Sequence, residues 1–468
     1  MSLFTSLSSG AASLDAQSYA LQIAGKNLSN VNNANYARET VVLESTGGSQ
    51  SNLGAAASTL DARTVSQIRD SFLDQQVALE SSITSALTTE QTALQSAEAS
   101  LGETVSSSSG TDTSTSAGAG LSSQLTSLFN SFSSLAASPT DTGVRQTLVQ
   151  NAAALSDSLN QADAGLAAVQ AGLNTQIAGD AASVNSLLNT IAGLNSQITV
   201  SEAGNPGSAV DLRDLRQTAI ETLATKISFN SSAATSGGQI KLSTTDVDGN
   251  AVVLVDGATV SNTVASNGTN LTAGGAALSL ASGSIKGAMD ARDGAIQSVR
   301  NSLDALAQQL VTSVNAAYNP TGATGNFFDA AGTTAATIAL DPALTSNNLK
   351  TGASGNSGDN TVALAVASLA SKTFSTGAGD AIDGTLTQFF SGTVSGFGQT
   401  LANVNNSVTN QTNVENLVRT QRDNVSGVNL DEETTNLMKY QKAYQASARF
   451  ISIVDNLLDT LIQLGAGA

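Results

Sequence analysis

SGVNLDEE (426–433) followed by TTNLMKYQKAYQASARFISIVDNLLDTLIQL (434–464) is the stretch whose reading decides the fold. Asn429 is placed to cap a helix, Glu432 stands three residues on for a capping box, and the acids Asp431 to Glu433 suit the positive helix end. Apolar residues then recur every seven positions, at Leu430, Leu437, Tyr444, Ile451 and Leu458. Tyr440, Val454 and Leu461 fill the interleaved positions of a coiled-coil seam, and Phe450, Leu457 and Leu464 widen it. A seam this broad on one helix needs cover from elsewhere in the chain or from another molecule.

The other end of the chain offers that cover. Leu7, Leu14, Leu21 and Leu28 repeat every seven residues, with Ala11, Ser18 and Gly25 small enough to let a second helix approach. The two termini therefore read as one helix pair, antiparallel or parallel, with everything between them inserted as an excursion. Burial of the apolar residues on the last helix is nearly offset by the entropy of ordering it, so the pair is expected to be marginal until many copies pack together.

These residues carry a resemblance. SGVNLDEE and the following helix resemble the C-terminal signature of bacterial flagellar axial proteins, and the opening is most similar to the hook-associated protein 1 family. KNLSNVNNANYARE (26–39) resembles the Asn-rich N-terminal motif of those proteins, here with Asn30, Tyr36 and Arg38 in place, Asn33 at the usual threonine and Asn35 at the glycine position. Asparagine tolerates left-handed backbone better than other non-glycine residues, so the turn is expected to survive. SAVDLRDLRQTAIETLATKI (208–227) is similar to a Leu-Asp-Gln-Arg-Asp segment of the family, with Asp211, Arg213 and Asp214 matching. From its residues alone it reads as a capped surface helix with charge pairs. The stretch 283–319 resembles the family's return helix, with a Gly-rich entry and the pair Arg292–Asp293.

Composition narrows the function. With 19 basic and 37 acidic side chains the net charge is -18, which disfavours nucleic acid. The absence of cysteine and histidine removes thiol nucleophiles, disulfides, imidazole bases and the commonest metal ligands. Neither a phosphate loop nor a nucleophile elbow is present, so no enzyme, cofactor or metal site is expected. MSLFTSLSSGAASLDAQ (1–17) has no basic residue and no continuous apolar core, so no cleavable signal is expected, and no apolar run suffices for membrane insertion.

Along the chain, ETVVLES and the Gly, Ser and Ala-rich residues after it read as an extended link, and helical periodicity is expected from Leu60 to Leu101. SSSSGTDTSTSAGAG (106–120) reads as a flexible turn, and a helix is expected over 121–137. Apolar spacing from Val144 to Ile198 predicts one helix that would span roughly 90 Å. QIKLS and AVVLVDG form a hairpin turning at Asp248-Gly249. DVDGN begins like a calcium loop, but the twelfth position is Gly257, so turn chemistry suffices. Phe327-Phe328 reads as a loop anchor, and helices over 361–371 and 383–425 lead back to the terminal seam.

The expected fold is mainly α, elongated, with a small inserted β domain, paired terminal helices and a long helical bundle. Its domains are 1–45 with 425–468 (terminal core), 46–226 with 284–424 (bundle) and 227–283 (β). The resemblance implies a structural flagellar subunit outside the cell, at the hook-filament junction, exported by the type III route. It implies a homo-oligomeric ring, with the hook protein and the next junction protein as neighbours and a cytoplasmic export chaperone on the C-terminal helix. Arg38 and Arg449 are contact candidates on the same ground. Tyr440 and Tyr444, one turn apart, read as packing residues, and the acids at 431–433 as capping groups. A hook or distal rod subunit, an extracellular coiled-coil adhesin or fibre, and an enzyme stand as alternatives.

Overall fold

The computed structural model describes residues 3–46, 59–102, 120–234, 237–322, 325–354, 356 and 358–466. Most of the expected turn at 106–120 lies outside them. Ten α-helices and nine short strands are found among the described residues, so the chain is mainly α with a small β portion. Two compact units result, one of Met1–Thr84, Asp180–Gly283 and Gln411–Ala468, the other of Ser85–Gly179 and Ser284–Asn410.

In the first unit, helix α1 (Leu3–Ser29) leads into strands β1 (Glu39–Thr46) and β2 (Thr59–Gln67), which pair antiparallel. This corrects two expectations. The link after Tyr36 is a strand, and Val65 and Ile68 precede the next helix, α2 (Ser71–Leu101). TLDARTVSQ and ETVVLEST both carry β-branched Thr and Val and pair through a register shift at Val42/Leu43, so strand pairing outweighs the weaker helical spacing once the partner is available. Ile23 of α1 packs with Val65, Val210 and Val41 in a small core.

Helix α3 (Leu121–Ala137) and the 60-residue α4 (Thr142–Ser201) follow, then α5 (Val210–Ala224). Strands β3 (Asn230–Ala233), β4 (Ile240–Thr245), β5 (Ala251–Asp256) and β6 (Thr259–Val260) form one antiparallel sheet in sequence order. β7 (Val264–Ser266), β8 (Leu271–Ala273) and β9 (Ala276–Ala277) form another. The β4–β5 turn has Gly249 at φ +85°, and the Asp246 carboxylate accepts the backbone N–H of Asp248 and Asn250. DVDGN is therefore organised by its own first aspartate. The first sheet docks on α4 through Asn195, whose Nδ2 donates to Ile240 O at 3.1 Å and Gly257 O at 2.7 Å. Asn185 likewise exchanges two hydrogen bonds with Val264, at 2.7 and 2.8 Å. Amide side chains thus take the place of a neighbouring strand.

Glu202, the residue after α4, accepts Arg213 Nε at 2.7 Å and Nη2 at 2.8 Å. Those bonds hold its carboxyl down to about 2. A carboxylate depressed in the folded state contributes stability that is present above its unfolded value and lost as pH falls through the folded one. We expect this unit's melting temperature to fall as pH drops from 4.5 toward 2, and Glu202→Gln to flatten that part of a calorimetric pH profile. Glu39 and Asp214 behave oppositely, since burial raises each above its ordinary value; their relief on protonation belongs to the less acid side of the profile.

In the second unit, the expected return helix is interrupted. α6 (Ser284–Ala291) passes through a π-turn, Arg292–Ile296, into α7 (Gln297–Tyr318). Arg292 is buried there and reaches both Asp293 and Asn174. Arg300 of α7 grips Asp163 of α4 with Nε at 2.8 Å and Nη2 at 3.1 Å. Phe327 and Phe328 are fully buried, with Phe327 5.0 Å from Phe132 and 5.4 Å from Tyr318 between ring centroids. Asn315 holds both backbone N–H groups of that pair on its Oδ1. Helix α8 (Thr361–Ala367) and a 3-10 turn over Ser368–Ser371 lead on to α9 (Leu386–Ser426), and α10 (Leu430–Ala466) ends the chain. No described helix is long and apolar enough to cross a membrane.

Candidate functional site in the paired terminal helices

α1 and α10 lie side by side and run antiparallel. Gly10 faces Phe450 and Ile451, Ser13 Oγ is 3.1 Å from Ser447 Oγ, and Asn27 meets Glu433. The close approach falls at Gly10, where a Cβ would stand 2.9 Å from Ile451 Cγ1; Gly25 has open space and Ala11 is exposed. Leu7, Leu14, Leu21 and Leu28 are all half-buried, and the fully covered face of α1 is instead Ala16, Ala20, Ile23 and Ala24.

The helix pair is tied at one end by a polar node. Asn27, 1% exposed, donates from Nδ2 to Glu39 O at 2.8 Å and Glu433 Oε2 at 3.1 Å. Its Oδ1 accepts the Tyr36 hydroxyl at 2.8 Å and Glu39 N at 3.0 Å, so every polar position of the amide is used. Burial, reinforced by nearby carboxylates led by Glu39, pushes the Tyr36 hydroxyl far up and keeps it a donor. Arg38 donates Nε to Glu433 at 2.9 Å and both Nη groups to Glu432, at 3.0 and 2.8 Å. Its backbone N–H reaches Ser426 O at 2.8 Å. Arg422 extends the node, from Ala34 O at 2.7 Å to Glu221 Oε1 at 2.8 Å.

Asn429 caps α10, accepting the N–H of Asp431 at 3.0 Å and Glu432 at 3.3 Å. The expected capping box is not closed, because Glu432 spends both oxygens on Arg38. Asn30 closes the end of α1 by donating Nδ2 to Lys26 O at 2.9 Å. The following turn forms with no positive-φ asparagine: no described non-glycine residue has positive φ, and Asn33 makes the turn by accepting Tyr36 N at 3.1 Å. Asp431 and Arg449 are exposed.

The seam of α10 divides into two faces. Toward α1, Val454 and Glu433 are buried, and Leu437, Tyr440, Ile451 and Leu458 are half-buried. About a third of a turn away, Ile453, Leu457 and Leu461 form a stripe at 51 to 59% exposure, with Phe450, 45% exposed, at its edge against Gly10 of α1. Leu430, Met438, Tyr444 and Ile462 are exposed as well. Periodicity located the apolar residues but merged the two faces, and Ile453 was missed; its offset from Phe450 and Leu457 was the available signal. The Arg38–Glu433 node was also missed, since it joins residues far apart in sequence.

The helical domain of the flagellar hook-associated protein FlgK matches residues 111–328, and the C-terminal domain of flagellar basal body rod FlgEFG proteins matches residues 419–464. Flagellar hook-associated protein 1 of Bacillus subtilis is 26% identical over 100% of this chain and 99% of its own length. Hook-associated protein 1 of Salmonella typhimurium is 39% identical over 71 residues, 15% of this chain and 13% of its own. Among solved structures, the flagellar hook junction protein FlgK from Burkholderia pseudomallei is 22% identical over 54% of this chain and 46% of its own, with a TM-score of 0.45. The chain is thus similar to bacterial flagellar axial proteins, which form a structural class. Within that class it is similar from end to end to hook-associated protein 1.

Proposed function

We propose that this chain is a structural subunit of the bacterial flagellum that joins hook to filament and assembles as a ring through its terminal helices. The outer stripe of α10 supports the reading most directly. Ile453, Leu457 and Leu461 are open in the single chain although α1 already covers the adjacent face. A contiguous apolar stripe of this kind marks a surface that another molecule covers. Residues 1–45 with 425–468 supply these contacts, while 46–226 with 284–424 and 227–283 form the bundle and β domains. The ring sits between the hook protein and the next junction protein. Before export by the flagellar type III system, without a cleaved signal, a cytoplasmic chaperone covers the same C-terminal helix.

Leu457→Asp with Leu461→Asp tests the reading. Both side chains are about half exposed, at 51% and 54%, so the monomer's melting curve is expected to stay within about 0.5 kcal/mol of the parent. Cells carrying the variant are expected to keep hooks, shed filament subunits into the medium and stop swimming, as a deletion would. Normal filament attachment in either strain would contradict the proposal, and labelling away from the junction would favour a hook or rod subunit. Residues 426–464 are further expected to resist protease in assemblies or with the chaperone, and not in dilute monomer.

A further inference from the structure

Unit one holds a cavity of about 800 Å³ lined by residues from β2, α2, α5 and the β3–β4 region. That size falls in the usual range for small-ligand and side-chain pockets. Three arginines, Arg69, Arg213 and Arg216, line it. Two of them are neutralised. Arg69 lies between Asp74 and Asp214, and Arg213 is held in a fork by Glu202.

Arg216 is different. It is 8% exposed, and only its Nη1 is engaged, by Asn195 Oδ1 at 2.8 Å and Gly238 O at 2.6 Å. Among the described residues no carboxylate pairs with it, and neither Nε nor Nη2 finds an acceptor. A buried guanidinium whose remaining donors converge in a planar fork is shaped to take a carboxylate. Burial, then the neighbouring Arg213, lowers its pKa to about 10, so an anion beside it would relieve a cost the fold already bears. The mouth has another character. Phe72 and Leu79 of α2 stand at its rim 64% and 53% exposed, with Ile220 within. A bare inorganic anion would leave that apolar rim uncovered.

We propose that this cavity is a receptor for a carboxylate carried on an apolar body, with Arg216 binding the carboxylate and Phe72 and Leu79 covering the body. Two sources have that chemistry: a small free carboxylate, and the exposed Val247–Asp248 tip of the β4–β5 hairpin on a second copy of this chain.

The full chain is titrated calorimetrically with 4-phenylbutyrate. Saturable one-to-one binding is expected, weakened about tenfold or more when the probe is 4-phenylbutyramide or when the protein carries Arg216→Gln. No saturable binding, or equal affinity for acid and amide, overturns the proposal. Should Arg216→Gln fail to fold by circular dichroism, Leu79→Asp decides. It lies on an exposed position and sets a like charge at the mouth; a severalfold weaker affinity supports the site, and an unchanged one overturns it. Sedimentation of the full chain separates the sources. Self-association that the probe reduces and Asp248→Asn abolishes identifies the second copy, whereas binding of the probe with sedimentation unaltered identifies the free carboxylate.

Discussion

Glu433→Ala is expected to destabilise the pairing of the terminal helices by about 1–3 kcal/mol, because it removes the acceptor of the half-buried Arg38 Nε and one of the two acceptors of the buried Asn27 amide. Glu433 is 2% exposed and accepts both Arg38 Nε at 2.9 Å and Asn27 Nδ2 at 3.1 Å. Asn27 also orders the turn through Tyr36 and Glu39, so its loss of one partner is felt in α1, β1 and α10 together. Hydrogen exchange along α10 is the measurement that checks this. Protection over Asp431 to Tyr444 should collapse in Glu433→Ala and fall less in Glu433→Gln, which keeps a neutral acceptor for Asn27. An exchange pattern like the parent's would mean that apolar contacts alone hold the pair.

Gly287→Ala is expected to have a comparable effect in the other unit. A Cβ at Gly287 on α6 would stand 2.0 Å from the backbone oxygen of Ala86 on α2. Backbone cannot rotate out of the way as a side-chain end can, so α6 must shift off α2. Overpacking of this kind costs typically about 1–3 kcal/mol, and a contact with backbone on both sides belongs at the upper end. The control is Gly172→Ala on α4, where nothing lies within 4 Å and the helix gains about 1 kcal/mol from alanine's higher propensity. Opposite shifts in the two melting curves are expected. A neutral Gly287→Ala would show that α6 and α2 are less tightly apposed than the backbone contact implies.

The helices were legible because their signal is local. Apolar spacing located α3 and both ends of α4 to within a few residues, and Asp248-Gly249 located the β4–β5 turn. The β1–β2 pair was not legible as such, since a strand written in Ser, Thr and acidic residues declares itself only when its partner is adjacent. Charge chemistry was least legible. The segment DLRDLRQ reads as a surface helix with pairs along its own length, yet Arg213 pairs with Glu202, just after α4, and Arg216 is buried without a carboxylate.

By itself the sequence determined most of the helical segments, the α10 cap at Asn429, the repeating apolar residues at both ends and the flagellar resemblance, because each is written within a few turns of chain. Only the tertiary structure decided that the termini pair antiparallel, that Arg38 and Asn27 converge on Glu433, and that the α10 seam splits into a covered face and an open stripe. The reason is physical: periodicity fixes the direction in which a side chain points, while burial depends on which distant segment arrives there.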